Sequence, residues 1–281
     1  MPVWAVTCSL PMNLDAYLER ISYSGPRAVD VETLRQIQKH HLLAIPYENV
    51  DVQLKRPLTT SVEAAFEKIV NQRRGGWCYE MNGLLGWALA EIGFDIQRTL
   101  GGVNRNERGD DAIGNHLVLL VALKGKTYVV DAGFGDGFLY PLPLEEGTFF
   151  ERDLEFRLEL MSDGFWRMHN HQFGGAPSFD FRTKVAEEFR LSESCEYLQH
   201  AEDYPFVKVL IVQRFVEGGY EIQVGRVSKR ITADGVTTTL LDSSEQLVER
   251  LNAVFGLDVP EVATLWPVIV ERHDQLFGSE L

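Results

Sequence analysis

Through the first ninety residues apolar positions recur at three- and four-residue spacing, the signature of helices with one buried face. Asn13 caps a short helix carrying Leu14, Tyr17, Leu18 and Ile21, and Gly25-Pro26 breaks it. Residues 31–43 predict a second helix with Leu34, Ile37 and His41 on one side, ended by Pro46. Thr60-Ser61-Val62-Glu63 reads as a capping box opening a third through Ala64, Ala65, Phe66, Ile69 and Val70. Residues 79–93 predict a fourth, with Leu84, Leu85, Trp87, Ala88, Leu89 and Ile92 as a broad apolar face and Gly93 as its stop.

After Gly93 the pattern changes. Residues 96–103, 116–123 and 127–131 read as strands, with Lys124-Gly125-Lys126 as the tight turn between the last two. Residues 156–161 and 165–169 predict a hairpin about Asp163-Gly164, residues 206–216 and 220–227 another about Gly218-Gly219, and residues 233–236 a third. Residues 184–198 lean towards helix, and residues 243–246 cap a helix through Leu247, Leu251, Val254 and Phe255. Residues 260–276 predict a last amphipathic helix. Helices first, an antiparallel β region next, then strands with terminal helices: segregated elements of that kind predict an α+β fold, not a doubly wound sheet.

The composition narrows the partners. The formal charge is −14 over 281 residues, which argues against general nucleic-acid or anionic-membrane binding and requires a local basic pocket for any anionic ligand. Cys8, Cys78 and Cys195 are widely spaced and form no CxxC pair, so neither a disulfide framework nor a structural zinc site is expected. That usage indicates a reducing compartment and a cytoplasmic location. Residues 4–10 form a brief apolar run with no basic flank, too short for a spanning helix. His169-Asn170-His171 alternates as metal ligands on a strand do, but no cysteine or carboxylate follows at useful spacing, and no metal is expected.

One stretch carries chemistry. Arg73-Arg74-Gly75-Gly76-Trp77-Cys78 delivers a cysteine to the start of the fourth helix, where exposed N–H groups, the positive dipole end and two arginines are expected to stabilise a thiolate. Gly75 and Gly76 would let the backbone come close to whatever the sulfur attacks. The alternative is a buried structural thiol. A nucleophilic cysteine needs a base and a group to orient it. His116 opens one strand and Asp131 ends the next, and the short turn between makes them cross-strand neighbours. Asp131 would then fix the imidazole tautomer, and His116 and the helix terminus together would lower the Cys78 pKa.

Arg74-Gly75-Gly76-Trp77-Cys78-Tyr79-Glu80 with Asn82-Gly83-Leu84-Leu85 resembles the active-site signature of the arylamine N-acetyltransferases. So do Ile45-Pro46-Tyr47-Glu48-Asn49-Val50, where Phe is usual in place of Tyr47, and Val130-Asp131-Ala132-Gly133-Phe134-Gly135. The resemblance implies a helical bundle (residues 1–93) carrying the nucleophile, an antiparallel β-barrel-like domain (94–203) carrying His and Asp, and an α/β lid (204–281). These would surround a Cys-His-Asp core of the cysteine-protease and transglutaminase kind. It implies a Cys78–His116–Asp131 triad, and transfer of an acetyl group from acetyl-CoA as co-substrate through a Cys78 thioester to an arylamine, hydrazine or hydroxylamine, as in xenobiotic metabolism.

By the same resemblance Tyr47, Val103, Phe134 and Phe206 line the acyl and acceptor pocket, and Gly133 and Gly135 lie near the pantetheine arm. Arg74 and Glu48 form a structural ion pair, which reassigns Arg74 from the thiolate. The Cys78 amide and a backbone amide near Val103 are candidate oxyanion donors. Asn115 stands where a small or hydroxyl residue is frequent, Tyr204-Pro205-Phe206 replaces a usual Ser-x-Phe, and residues 187–203 are acidic and awkward beside a nucleotide phosphate. The expected assembly is a monomer or homodimer. Two rivals use the same residues differently: a cysteine-triad hydrolase, transglutaminase-like enzyme or amide synthase with another acyl donor, and a non-enzymatic protein with a reactive thiol.

Overall fold

The structure is a computed structural model that describes residues 12–232 and 234–277. The apolar run at residues 4–10, Cys8 and Ala233 lie outside the described residues.

The capping residues read from the sequence act as caps. Asn13 Oδ1 accepts the Asp15 N–H at 2.8 Å at the head of helix Leu14–Arg20. Asp30, which the sequence pattern did not single out, accepts from Thr33 N–H at 2.8 Å to open helix Val31–Ala44. Ser61 opens Val62–Phe66, which continues as a π-helical turn over Glu67–Asn71. Helix Cys78–Ile92 ends at Gly93, whose φ of 109° admits a residue without Cβ. The apolar faces of these helices close on Leu34, Ile37, Phe66, Ile69, Leu84, Leu85 and Leu89. Each such side chain, fully buried, is worth about 1.5–3 kcal/mol relative to exposure. The same core continues into Leu119, Val121 and Val130 of one sheet and Phe215 and Ile222 of another.

The first sheet has eight antiparallel strands in the order Leu142–Pro143, Lys126–Val130, His116–Leu123, Asp95–Val103, Ser178–Phe181, Trp166–His169, Leu154–Leu160, Gly147–Glu151. Its two edges come together. Only three residues separate Pro143 from Gly147, and the Glu151 carboxylate accepts the Leu139 N–H at 2.6 Å and the Tyr140 N–H at 3.1 Å. The sheet is thus a nearly closed barrel. The second sheet runs Tyr47–Glu48, Ile211–Val216, Gly219–Val224, Val227–Thr232, Gly235–Leu240, all antiparallel. Helix Ser244–Phe255, capped by Ser243, and helix Trp266–Phe277 cover it. The α+β class expected from the sequence is the observed one.

Several local expectations change. Phe206 lies in a short helix, Pro205–Lys208, with Pro205 in the first turn where its missing N–H costs nothing, so the strand starts only at Ile211. Residues 260–265 are a 3₁₀ turn before the last α-helix. Strand Tyr47–Glu48 finds its partner more than 160 positions away in the chain, and strand Ser178–Phe181 joins the nearby Trp166–His169 to the distant Asp95–Val103; neither was among the strands expected.

Candidate active site

Cys78 is the first helical residue after Trp77, and the Glu80 carboxylate reaches back to accept the Trp77 N–H at 3.2 Å. The Cys78 N–H is therefore one of the donors that a helix start leaves without an intrahelical partner. Gly133 lies against its backbone: a Cβ on Gly133 would sit 2.7 Å from Cys78 Cα and 2.9 Å from Cys78 Cβ. In this arrangement the thiol donates to the Asn115 carbonyl oxygen, 3.8 Å away.

His116 begins strand His116–Leu123, and Asp131 follows strand Lys126–Val130. The register pairs Leu119 with Val130, so Asp131 stands diagonally across from His116, not directly opposite. The side chains close that diagonal. His116 Nε2 lies 2.6 Å from Asp131 Oδ2, while Asp131 Oδ1 accepts the Gly133 N–H at 2.7 Å and Asn82 Nδ2 at 3.0 Å. With the carboxylate ionised, Nε2 carries the proton and Nδ1 is the free lone pair. Cys78, His116 and Asp131 are 2%, 1% and 4% exposed, so any charge formed among them is stabilised by these partners and not by bulk water.

A cavity of about 330 Å³ opens onto Cys78 and His116. Tyr47, Val103, Gly133, Phe134 and Phe206 line it. Gly135 does not. Its φ is 89°, and a Cβ there would collide with the Gln213 side chain, so it serves the packing of the loop against the second sheet. Aromatic rings frame the space: Phe134 and Phe179 lie 5.9 and 5.0 Å from the His116 ring, and Phe206 lies 6.3 Å from Tyr47.

Comparison with known proteins identifies this arrangement. A family model described as N-acetyltransferase matches residues 30–264. The arylamine N-acetyltransferase of Mycolicibacterium smegmatis is 34% identical over 263 residues, 90% of this chain and 95% of that protein. The chain belongs to the arylamine N-acetyltransferase family. A pineal gland isozyme from Gallus gallus is 32% identical over 240 residues, 76% of this chain and 81% of that protein. The Mycobacterium marinum arylamine N-acetyltransferase, solved in complex with CoA, superposes with a TM-score of 0.83 at 29% identity, covering 94% of this chain and 99% of that one.

Two departures from the arylamine N-acetyltransferase pattern turn out to be partners. Asn115 Nδ2 donates to the Tyr204 hydroxyl at 2.6 Å and to the Val103 carbonyl at 3.2 Å, and Asn115 Oδ1 accepts the Val103 N–H at 2.8 Å. A hydroxyl in place of Asn115 could not span both groups. The same bonds occupy the Val103 N–H itself, so it cannot serve an oxyanion, and the Cys78 N–H remains a candidate donor.

The glycines before Cys78 are also reassigned. A Cβ on Gly75 would strike the Pro46 carbonyl and Glu48, and one on Gly76 would come 2.9 Å from Glu80 Cβ. Both let the two N-terminal blocks pack closely; neither approaches the space in front of the sulfur. Behind them lies a buried cluster that sequence reading saw only in part. Arg74 bonds Glu48 at 2.8 Å and Asp51 at 3.1 Å, and Lys68 bonds Asp51 at 2.8 Å and Glu80 at 2.9 Å. Arg74 is a strut, as the resemblance implied, but it is shared between two carboxylates. Arg73 lines a separate cleft with Arg20 and Arg214, away from the thiol.

Burial works against the expected lowering of the Cys78 pKa. Burial pushes its thiol up, and the backbone N–H groups of Leu117 and Tyr79 that pull the other way do not offset it. Sequence reading counted the helix terminus and the arginines; it could not count a nearly complete loss of water. Asp136, also on the cavity wall, is pushed up to about 6 by burial, against its bonds from Gly175 N–H at 2.7 Å and Asn170 at 3.2 Å. Asn82 stands in the signature quoted above, but its bonds to Asp131 and Ala132 were not read from it. Its position four residues after Cys78 puts it on the same helix face, a polar interruption in an apolar stripe that could have flagged it.

Proposed function

We propose that this chain transfers an acetyl group from acetyl-CoA to the nitrogen of an arylamine, hydrazine or hydroxylamine, with Cys78 as nucleophile, His116 as base and Asp131 as the group that orients it. One observation carries the reading: the buried 2.6 Å His116–Asp131 pair faces the same aromatic cavity as a cysteine at a helix start.

In the first half His116 Nδ1 takes the Cys78 proton as Sγ attacks the thioester carbonyl. The oxygen that becomes negative is stabilised by the Cys78 N–H. The C–S bond to coenzyme A then breaks, and the departing thiolate takes the proton from the imidazolium. In the second half the acceptor nitrogen attacks the acetyl-Sγ carbonyl, its proton passes to His116, and Cys78 leaves and is reprotonated. Thioester exchange is nearly isoenergetic, so no strongly basic leaving group has to be driven off. Tyr47, Phe134 and Phe206 offer the flat apolar walls an aryl ring needs. Varying both substrates should give parallel double-reciprocal lines. Intersecting lines would mean that donor and acceptor bind together, and would contradict the two-step route.

The raised thiol pKa sharpens the role of His116. Moving the proton from sulfur to imidazole exports no net charge from the site, so the thiolate forms at neutral pH only as a pair with the imidazolium. In His116→Gln the thiol must ionise alone in a buried position. Its alkylation by iodoacetamide is then expected to require pH above the ordinary cysteine value of about 8.5, whereas the parent chain alkylates at neutral pH. Superimposable pH profiles for the two would remove His116 from the base role.

A further inference from the structure

On strand Ile211–Val216 successive side chains face opposite ways. Gln213 turns to the Cys78 cavity, where it bonds Asp136 at 3.3 Å, and Arg214 turns to a cleft of about 460 Å³ on the other face of the sheet. The two spaces share no lining residue. Arg20, Arg73 and Arg214 line the cleft together with Ser22 and His40, and none of its lining residues is a carboxylate. In a chain of net charge −14, three guanidiniums around a space with no acidic wall run against the composition.

Helices Leu14–Arg20, Val31–Ala44 and Ser244–Phe255 and the π-helical turn Glu67–Asn71 all end near this cleft, and carbonyls at those ends hold two of the arginines. Arg20 donates to the carbonyls of Ile69 and Ala44, both at 2.9 Å, and of Arg74 at 3.2 Å. Arg214 donates to those of Leu43 at 3.0 Å and Val254 at 3.1 Å. A carbonyl dipole orients a guanidinium and offsets only part of its charge. Burial, and then the charges of Arg73 and Arg214, pull the Arg20 pKa down to about 10. Arg73 is exposed and makes no hydrogen bond, ion pair or ring contact with any described residue. Its φ of 55° is the left-handed conformation in which glycine or asparagine is usual after a helix, so an arginine is held there against its backbone preference. Like charges so arranged repel one another until an anion enters.

We propose that this cleft is a second ligand site, one that binds a phosphate-bearing anion with its oxygens shared among Arg20, Arg73 and Arg214. A guanidinium presents parallel N–H groups in a planar fork. Three forks around one space offer more donors than the two oxygens of a carboxylate can take up, and they suit the three acceptor oxygens of a phosphate group. The site lies apart from Cys78, His116 and Asp131 and does not depend on the transfer reading.

Calorimetric titration of the full chain with inorganic pyrophosphate, at constant ionic strength and with CoA present at saturation, tests the proposal without requiring turnover. Saturating CoA fills whatever phosphate contacts belong to the donor. Pyrophosphate is expected to bind saturably, and acetate, with its two oxygens, is not. Arg73→Asn removes an exposed charge and suits the left-handed backbone, so the fold should be retained. In that variant pyrophosphate affinity is expected to fall at least about tenfold, as loss of a charge-assisted phosphate contact does, while CoA affinity stays unchanged. No saturable pyrophosphate binding, equal affinity in Arg73→Asn, acetate bound as tightly as pyrophosphate, a matching loss of CoA affinity, or pyrophosphate binding seen only without CoA would each overturn the assignment. The arginines would then serve only to cap the helix ends.

Discussion

Cys78→Ala is expected to abolish acetyl transfer to every acceptor, a loss of at least about 10⁴-fold in turnover, while leaving the fold intact. Alanine keeps the Cβ that packs against Gly133, so the helix start need not move. What is lost is one sulfur among Tyr47, Trp77 and Tyr79, a small cavity costing on the order of 1 kcal/mol. A folded chain with an intact aromatic pocket would then bind donor and acceptor and do nothing with them. Rates come from the standard arylamine assay and integrity from circular dichroism and thermal unfolding. Substantial turnover in a correctly folded Cys78→Ala chain would mean that acetyl passes directly between substrates, and the covalent route would fall.

The largest effect on stability is expected at Lys68, far from any substrate. Its ammonium lies 2.8 Å from Asp51, 2.9 Å from Glu80 and 3.8 Å from Glu48, all buried. Burial alone would lower the Lys68 pKa, but the three carboxylates outweigh it and hold it raised. Burial likewise opposes the ionised Asp51, yet Lys68 and Arg74 keep that carboxyl below its usual value. Glu80 stays above its usual value because burial outweighs Lys68 there. Lys68→Met leaves three buried carboxylates facing Arg74 alone and should cost ~3–5 kcal/mol at neutral pH. The sign of the pH dependence follows. Without Lys68 the folded-state carboxyl pKa values rise, and a raised value contributes stability below the unfolded pKa that is lost as pH rises through the folded one. The deficit relative to the parent chain should therefore shrink in acid and be largest at neutral pH. Urea unfolding at two pH values measures it, and a deficit under ~1 kcal/mol at neutral pH would show the cluster to be dispensable.

These two sites mark what the sequence could and could not reveal. Cys78, His116 and Asp131 were legible because each sits at a boundary that local chemistry announces: a glycine turn into an apolar helix, the head of an apolar strand, the end of the strand after a two-sided turn. Caps at Asn13 and Ser243 and the stop at Gly93 were legible for the same reason. The Lys68 cluster was not. Lys68, Asp51 and Glu80 fall on three separate segments, and a lysine on a helix reads as solvent-facing until tertiary packing encloses it. The burial opposing a Cys78 thiolate was not legible for a related reason, since a dipole is a property of the helix start while desolvation comes from everything packed over it. Sequence also does not say that Asn115 has claimed the Val103 N–H. Asn115 and Tyr204 each looked like an isolated departure, and only their 2.6 Å contact explains why both occur.

The central claim is that acetyl-CoA loads Cys78 covalently, and mass spectrometry of the intact chain after incubation with acetyl-CoA and no acceptor tests it most directly. The expected result is one acetyl group per chain, mapped by proteolysis to the peptide containing Cys78, with one equivalent of free coenzyme A released, and return to the unmodified mass when an arylamine is added. Donor consumed with no acetyl retained on Cys78, or an acetyl that an arylamine cannot remove, would contradict it.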